Sequence, residues 1–114
     1  MYKRQVSSHL LIERNGSIIQ FVPFDKKAWH AGISKFQGRE NCNEFSIGIE
    51  LEGTDNLDYT TNQYESLVEA TKEIMKVYPA ISKENIVGHS DIAPDRKTDP
   101  GDSFNWNLYL HNLV

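Results

Sequence analysis

Two short apolar runs on either side of a turn signal form the first readable pattern in the chain. Leu10–Arg14 and Ser17–Val22 flank the dipeptide Asn15-Gly16, and Pro23 ends the second run. Asn-Gly between two such runs is the strongest short-range hairpin signal, because both residues accept the positive φ angles of a tight turn. These residues therefore predict a β-hairpin.

A strict alternation of apolar and polar residues follows in Phe45–Leu51. Successive side chains point to opposite faces of a strand, so this period of two predicts a β-strand. One face carries Phe45, Ile47, Ile49 and Leu51, and the other carries Ser46, Gly48, Glu50 and Glu52. The second face is therefore small and open around its carboxylates.

The clearest helical signal begins at Thr60. Thr60 and Gln63 form a capping-box pattern, and apolar residues then recur at helical spacing until Pro79. The pattern predicts an amphipathic helix of about four to five turns.

The rest of the chain predicts shorter elements. Pro23–Asn43 has no regular period and predicts a long irregular loop, and loops of this length are usually functional. Ile86-Val87 predicts a short buried strand, and Phe104–Leu113 predicts a second helix capped by Asp102 or Ser103. The order of elements predicts a single α/β or α+β domain with a mixed central β-sheet flanked by helices.

The composition agrees with one domain and argues against several kinds of partner. The chain has 114 residues, 39% of them hydrophobic, and a formal net charge of −4 at pH 7. Nucleic acid and anionic membranes attract basic surfaces, so neither is an expected partner. No apolar run is long enough to span a membrane and no leader is visible. With one cysteine the chain has no disulfide framework, which fits a reducing cytoplasm, and we also expect a monomer. Cys42, the single cysteine, lies between Glu40 and Glu44, whose negative charges disfavour a thiolate, so we expect a buried or incidental thiol rather than a nucleophile.

A loop rich in proline and aspartate holds the most informative polar residues. His89 comes shortly after the predicted strand at Ile86-Val87. Lys97 and Asp99 are two positions apart, so in an extended chain they point to the same side. Imidazole and carboxylate are ligands that suit Zn²⁺, and a neighbouring ammonium can stabilise an oxyanion. The alternative is a turn in which Asp91, Asp95 and Asp99 cap local backbone amides.

Further candidates lie elsewhere in the chain. Glu50, on the open face of the predicted strand, is either a general base for a metal-bound water or a solvated surface carboxylate. Trp29-His30, in the long loop, either walls a sugar or peptide site or anchors the loop in the interior. His9 on the first strand is a candidate for a hydrogen-bonded core histidine.

Four sequence motifs, in the right order, resemble one enzyme family. GHSDIAPDRKTDPG at 88–101 resembles the zinc motif of the N-acetylmuramoyl-L-alanine amidases, the amidase-2 family, which is related to peptidoglycan recognition proteins. QFVPFD at 20–25, AWHAG at 28–32 and FSIGIELEGT at 45–54 resemble the branch of cytoplasmic 1,6-anhydro-N-acetylmuramyl-L-alanine amidases of cell-wall recycling. The resemblance implies the mixed-sheet fold of that family.

The resemblance also implies a role for each candidate residue. His89 and Asp99 would be zinc ligands, and Lys97 would stabilise the oxyanion. Glu50 would act as base or acid on the metal-bound water. The muropeptide substrate would be bound by Trp29, His30 and, on the floor of the cleft, His9. The implied reaction is hydrolysis of the amide between the lactyl group of the anhydro-muramic acid and L-alanine.

The chain departs from the family pattern in two respects. The family takes its third zinc ligand, a histidine, from an early strand, and this chain offers only His9 and His30 as candidates to replace it. We therefore expect residues 1–114 to be an N-terminally incomplete amidase-2 domain that binds zinc weakly. Relatives carry arginines near the positions of Gln5 and Asn41, so a preference for diaminopimelate-containing peptides is not implied.

Three functions remain in competition. The first is a zinc amidase acting on cytoplasmic anhydro-muropeptides, and the second is a non-catalytic muropeptide-binding module that lacks a zinc ligand. The third is a lytic amidase acting on intact cell wall, which the absence of a visible leader opposes. Glu50 and Lys97 favour an enzyme, because a binding module needs neither a base nor an oxyanion donor.

Overall fold

The computed structural model describes residues 8–28, 34–40, 42, 45–53, 57–95 and 97–113. The strands are β1 (Leu10–Ile12), β2 (Ile18–Gln20), β3 (Lys35–Phe36), β4 (Arg39–Glu40) and β5 (Ile49–Leu51). The helices are α1 (Thr61–Val77), α2 (His89–Ile92) and α3 (Trp106–His111), with a 3₁₀ turn at Lys83–Asn85. Within the described ranges, none of the helices has the length and apolarity needed to cross a bilayer.

Three strands form a mixed sheet in the order β2-β1-β5. β1 and β2 pair antiparallel with Leu10 opposite Gln20, which confirms the predicted hairpin in a shorter form. Gly16 in its turn has a φ of 92°, a conformation that favours glycine. β1 runs parallel to β5 with Leu11 opposite Glu50, so the hairpin sets the position of Glu50. The mixed sheet and its helices confirm the predicted fold class.

α1 begins where the capping-box pattern predicts it. The Thr60 hydroxyl accepts a hydrogen bond from the Gln63 N–H at 3.1 Å, and the Gln63 side chain accepts one from the Thr60 N–H at 3.0 Å. Gln63 is fully buried and donates to the carbonyls of Ile12 and Glu52 at 3.2 and 2.9 Å. The first turn of the helix is thereby tied to the ends of β1 and β5.

Replacing Thr60 with alanine is expected to lower the free energy of unfolding by about 1–2 kcal/mol, the usual cost of losing an N-cap. The change also removes the hydrogen bond that the Thr60 hydroxyl donates to the Arg14 carbonyl at 2.6 Å. Urea denaturation measures the effect. Thr61→Ala is the matched control, because Thr61 is exposed at the next position and is not the cap. Equal losses in the two variants would contradict the capping argument.

The main core lies between the sheet and the helices. Ile12 of β1 and Leu67 of α1 pack with buried residues of the C-terminal part, namely Phe104, Tyr109 and Leu113. Phe104 is its aromatic centre, with Trp106 and Tyr59 among its neighbours at centroid distances of 4.9 and 5.8 Å. This aromatic cluster lies beneath the segment that carries His89 and Asp99, since Trp106 also approaches Gly88.

Two predicted strands need correction. Residues 45–48 lie outside the sheet, because the Ser46 hydroxyl and the Phe45 N–H both bond to the Cys42 carbonyl and hold the chain in a turn. The predicted buried strand at Ile86-Val87 is wrong. Ile86 is extended, but its N–H bonds back to the Lys83 carbonyl, the segment pairs with no strand in the described ranges, and Val87 is exposed.

The predicted loop and the predicted cap of the last helix also change. The segment predicted as an irregular loop contains a short antiparallel ribbon, β3–β4, which turns at Gln37-Gly38 with φ angles of 51° and 83°. α3 is capped by Asn105, whose side chain accepts from the Leu108 N–H at 3.0 Å, so neither predicted cap is used. Cys42 is buried, as predicted.

Candidate functional site

His89 is the first residue of α2, and its backbone is fixed on both sides. Asp91 accepts a hydrogen bond from the Gly88 N–H at 2.9 Å, and the Ala93 N–H donates to the His89 carbonyl at 2.8 Å. Asp91 therefore caps a local amide, as the turn interpretation of this loop predicts. The result is a short, closed helical turn that presents the His89 ring.

The side chains of His89 and Asp99 meet. His89 Nδ1 lies 2.5 Å from Asp99 Oδ2, and the Ser90 N–H donates to the Asp99 carbonyl at 3.0 Å. The His89 side chain is 10% exposed and that of Asp99 is 45% exposed, so the pair borders solvent on the carboxylate side. The convergence expected from the spacing of these two residues is present in the structure.

This contact holds Asp99 in its ionised form. The hydrogen bond with His89 is the main cause that lowers the pKa of Asp99 below its ordinary value, and partial burial opposes it. The charges of His89 and Lys97 lower the pKa further. Because a metal ion binds a carboxylate in its deprotonated form, Asp99 has the protonation state that a metal ligand needs.

A cavity of about 1040 Å³ joins the candidate catalytic residues. Glu50 of β5 lines it, and so do His89, Lys97 and Asp99 from the segment at and after α2. Glu50 and Lys97 are half-buried, and the Lys97 N–H donates to the Ala93 carbonyl at 2.9 Å. One cavity thus contains a carboxylate, an ammonium and a histidine–aspartate pair.

The His89–Asp99 pair fits two of the ligands of a zinc ion. An imidazole nitrogen and a carboxylate oxygen are common zinc donors, and the two side chains converge on one point, where a metal ion would replace the hydrogen bond between them. Among the described residues, no group of three or more His, Cys, Asp or Glu side chains could hold a metal. A third protein donor is therefore absent from the part of the chain that the structure describes.

His9 does not have the exposed position that a substrate-binding residue needs. Its side chain is fully buried; Nε2 lies 2.7 Å from the Lys26 carbonyl, and Nδ1 accepts from the Gly48 N–H at 3.0 Å. Both ring nitrogens bond to backbone groups, so His9 is neither a free ligand nor a contact on the cleft floor, which corrects that expectation. His9 instead fits the other interpretation given above, that of a hydrogen-bonded core histidine. Trp29 and His30 lie outside the described residues.

Some residues of the cavity carry no sequence signal that singles them out. The Arg39 guanidinium lies 4.1 Å from the centroid of the Phe45 ring, and both residues line the cavity. Arg39 belongs to a two-residue strand that is too short to show periodicity. Tyr59 also lines the cavity, and its hydroxyl donates to the Pro100 carbonyl at 2.7 Å across 41 positions of sequence.

A mixed-sheet domain whose cavity combines a histidine–aspartate pair, a second carboxylate and an ammonium has the groups of a hydrolase site. Comparison with known sequences makes the assignment specific. The chain belongs to the N-acetylmuramoyl-L-alanine amidase family, whose sequence profile matches residues 1–102.

Individual relatives agree with this assignment. The chain is 63% identical over 102 residues to the 1,6-anhydro-N-acetylmuramyl-L-alanine amidase AmpD of Escherichia coli K12, covering 90% of this chain and 55% of the relative. It is 58% identical over 113 residues to AmpD of Haemophilus influenzae, covering 99% and 61%. The chain therefore spans little more than half the length of the curated relatives that it matches.

Solved structures show the same fold. A crystal structure of a selenomethionine derivative of AmpD superposes with a TM-score of 0.92 at 58% identity, covering 96% of this chain and 60% of that one. The amidase AmiD of Escherichia coli, in complex with anhydro-N-acetylmuramic acid-L-Ala-D-γ-Glu-L-Lys, superposes with a TM-score of 0.87 at 39% identity. That comparison covers 96% of this chain and 49% of AmiD.

Proposed function

We propose that this domain is a zinc-dependent amidase that hydrolyses the bond between the lactyl group of 1,6-anhydro-N-acetylmuramic acid and L-alanine. The observation that carries the proposal is the 2.5 Å contact between His89 and Asp99 in a cavity shared with Glu50 and Lys97. The names of the relatives support the choice of substrate. A role in muropeptide recycling, a cytoplasmic location and a monomeric state remain predictions.

Four polar residues of the cavity would have a role in this reaction. His89 and Asp99 would hold a zinc ion, which supplies Lewis-acid polarisation of the substrate carbonyl when bound. Glu50 takes a proton from the attacking water and delivers it to the alanine nitrogen as the C–N bond breaks. Lys97 donates a hydrogen bond to the oxyanion that develops on the lactyl carbonyl. The products are a lactyl carboxylate and a peptide with a free amine.

The direct test is incubation of the protein with anhydro-muramyl tripeptide and Zn²⁺, with mass spectrometry of the products. Release of free tripeptide and of anhydro-N-acetylmuramic acid is the expected result. Incubation after treatment with a chelator is expected to release neither. Cleavage that continues at the same rate without metal would reject the zinc part of the proposal, and no cleavage with metal would reject the amidase part.

Replacing Lys97 with alanine is expected to lower kcat by about 10²–10³-fold, the usual cost of removing one oxyanion donor. Metal analysis is expected to show the same zinc content as the parent protein, because an ammonium cannot bind a cation. Lys72→Ala is the control, since Lys72 is an exposed lysine of α1 that does not line the cavity. Unchanged turnover in the Lys97 variant would remove Lys97 from the mechanism.

The second candidate function is muropeptide binding without catalysis. The observation that favours it is that the described residues supply two adjacent protein donors, whereas catalytic zinc sites use three. A binding module would retain the anhydro-muramyl tripeptide in equilibrium dialysis and release no free peptide at any zinc concentration. Zinc retained at one ion per chain after dialysis, together with turnover, would exclude this alternative.

A further inference from the structure

The turn that carries Asp99 is held by hydrogen bonds at two consecutive carbonyls. The Asp99 carbonyl accepts from the Ser90 N–H at 3.0 Å, and the Pro100 carbonyl accepts from the Tyr59 hydroxyl at 2.7 Å. Neither bond uses the Asp99 carboxylate, which remains directed at His89. The position of the carboxylate therefore depends on what fixes the backbone on each side of it.

Gly88 restrains the same turn from the side of His89. A Cβ atom added at Gly88 would lie 2.6 Å from Pro100 Cδ and 3.3 Å from the Asp99 carbonyl oxygen. The φ angle of Gly88 is −92°, which any residue adopts, so the close approach of Pro100 is the reason for glycine here. The Pro100 ring thus packs directly against the residue that precedes His89.

Neighbouring residues fix the position of Tyr59, whose hydroxyl holds this turn. Its ring packs edge-on against Phe104, with the ring centroids 5.8 Å apart, and it directly precedes Thr60, the cap of α1. The side chain is half-buried, and its hydroxyl reaches the Pro100 carbonyl from a part of the chain 41 positions away. The bond therefore connects the start of α1 to the turn that carries Asp99.

We infer that Tyr59 is a positioning residue for the His89–Asp99 pair. Its hydroxyl fixes the Pro100 carbonyl and, through it, the orientation of the neighbouring Asp99 carboxylate towards His89. Tyr59 acts through the backbone of the turn and supplies no donor to the metal. The part of the inference that concerns metal binding rests on the proposed function. The part that concerns the metal-free contact between His89 and Asp99 rests only on the hydrogen bonds described above.

The test is Tyr59→Phe, which removes one hydroxyl and keeps the ring on Phe104. Tyr109→Phe is the matched control, because the Tyr109 hydroxyl also makes a 2.7 Å bond, to Thr71, and its ring also packs on Phe104. Two quantities are measured: the ¹⁵N shifts of the His89 ring in metal-free protein, and the Kd for Zn²⁺ by competition with a chromophoric chelator. Tyr59→Phe is expected to shift the His89 signals and to raise the Kd by about 10-fold, the lower end of the usual cost of losing a residue that orients a ligand.

The control separates positioning from general packing. The inference is supported if Tyr109→Phe leaves both quantities at their parent values while Tyr59→Phe changes them. Parent-like His89 shifts and Kd in Tyr59→Phe overturn it, and so do equal changes in both tyrosine variants. If the parent protein binds no Zn²⁺, the zinc part of the proposed function fails. The His89 shifts still decide the role of Tyr59, because they are measured without metal.

Discussion

Glu50→Gln is expected to lower kcat for anhydro-muramyl peptide hydrolysis by about 10²–10⁴-fold, the range that general acid–base catalysis contributes. Glutamine has nearly the same shape as glutamate, so the register of β5 against β1, with Leu11 opposite position 50, should persist. The amide cannot take a proton from water at neutral pH, and proton transfer to the alanine nitrogen is lost with it. Peptide release followed by mass spectrometry measures kcat.

The control for Glu50 is Glu52→Gln, which makes the same chemical change two positions along the chain. Glu52 is exposed, and its carboxylate accepts from the Arg14 N–H at 2.9 Å, a bond that a glutamine oxygen also makes. Turnover in the Glu52 variant should match the parent. Zinc content should stay unchanged in both variants, because neither residue is a proposed ligand. A Glu50→Gln protein with parent turnover would show that the proton is carried by another group.

Phe104→Ala is expected to lower the free energy of unfolding by about 3–5 kcal/mol, the usual cost of deleting a buried aromatic ring. Phe104 is 7% exposed and contacts the rings of Tyr59, Tyr64, Trp106 and Tyr109. The loss combines removal of apolar surface from water with a cavity that four aromatic neighbours cannot fill together. Urea denaturation followed by fluorescence measures the change.

The comparison for Phe104 is Leu108→Ala, an apolar truncation on the exposed side of α3. Leu108 is 43% exposed, so its truncation should change stability by no more than about 0.5 kcal/mol. A loss of about 3–5 kcal/mol is a large share of the stability of a small domain, so Phe104→Leu serves as a second, milder variant. Leucine keeps part of the side-chain volume, so this variant should lose less stability and retain a measurable unfolding transition. Equal effects at Phe104 and Leu108 would contradict the central place of Phe104 in the core.

Elements that depend on neighbours in sequence were predictable. The Asn15-Gly16 turn and the Thr60–Gln63 capping box act within a few residues, and both are present in the structure. The convergence of His89 and Asp99 was also predictable, because only ten positions separate them and the loop between them is short. Their role as metal ligands remains a prediction.

Features that depend on distant partners were not predictable. Ile86-Val87 has the composition of a strand, but a strand also needs a neighbour to pair with, and the described residues provide none. The burial of His9 depends on Gly48 and Lys26, which are 39 and 17 positions away. The Tyr59–Pro100 bond similarly leaves no mark in the local pattern.

The two halves of the site differ in how far apart their parts lie along the chain, and therefore in the chain entropy that bringing those parts together costs. His89 and Asp99 are separated by 10 positions, whereas Glu50 is placed by pairing with Leu11, 50 − 11 = 39 positions away. Closing the shorter loop costs about 1 kcal/mol less chain entropy than closing the longer one. On loop length alone, the contact between His89 and Asp99 is thus the less costly of the two to close, while the position of Glu50 depends on the pairing of β1 with β5. Disturbing the pairing of β1 with β5 therefore acts directly on Glu50, whereas the contact between His89 and Asp99 involves no strand of the sheet.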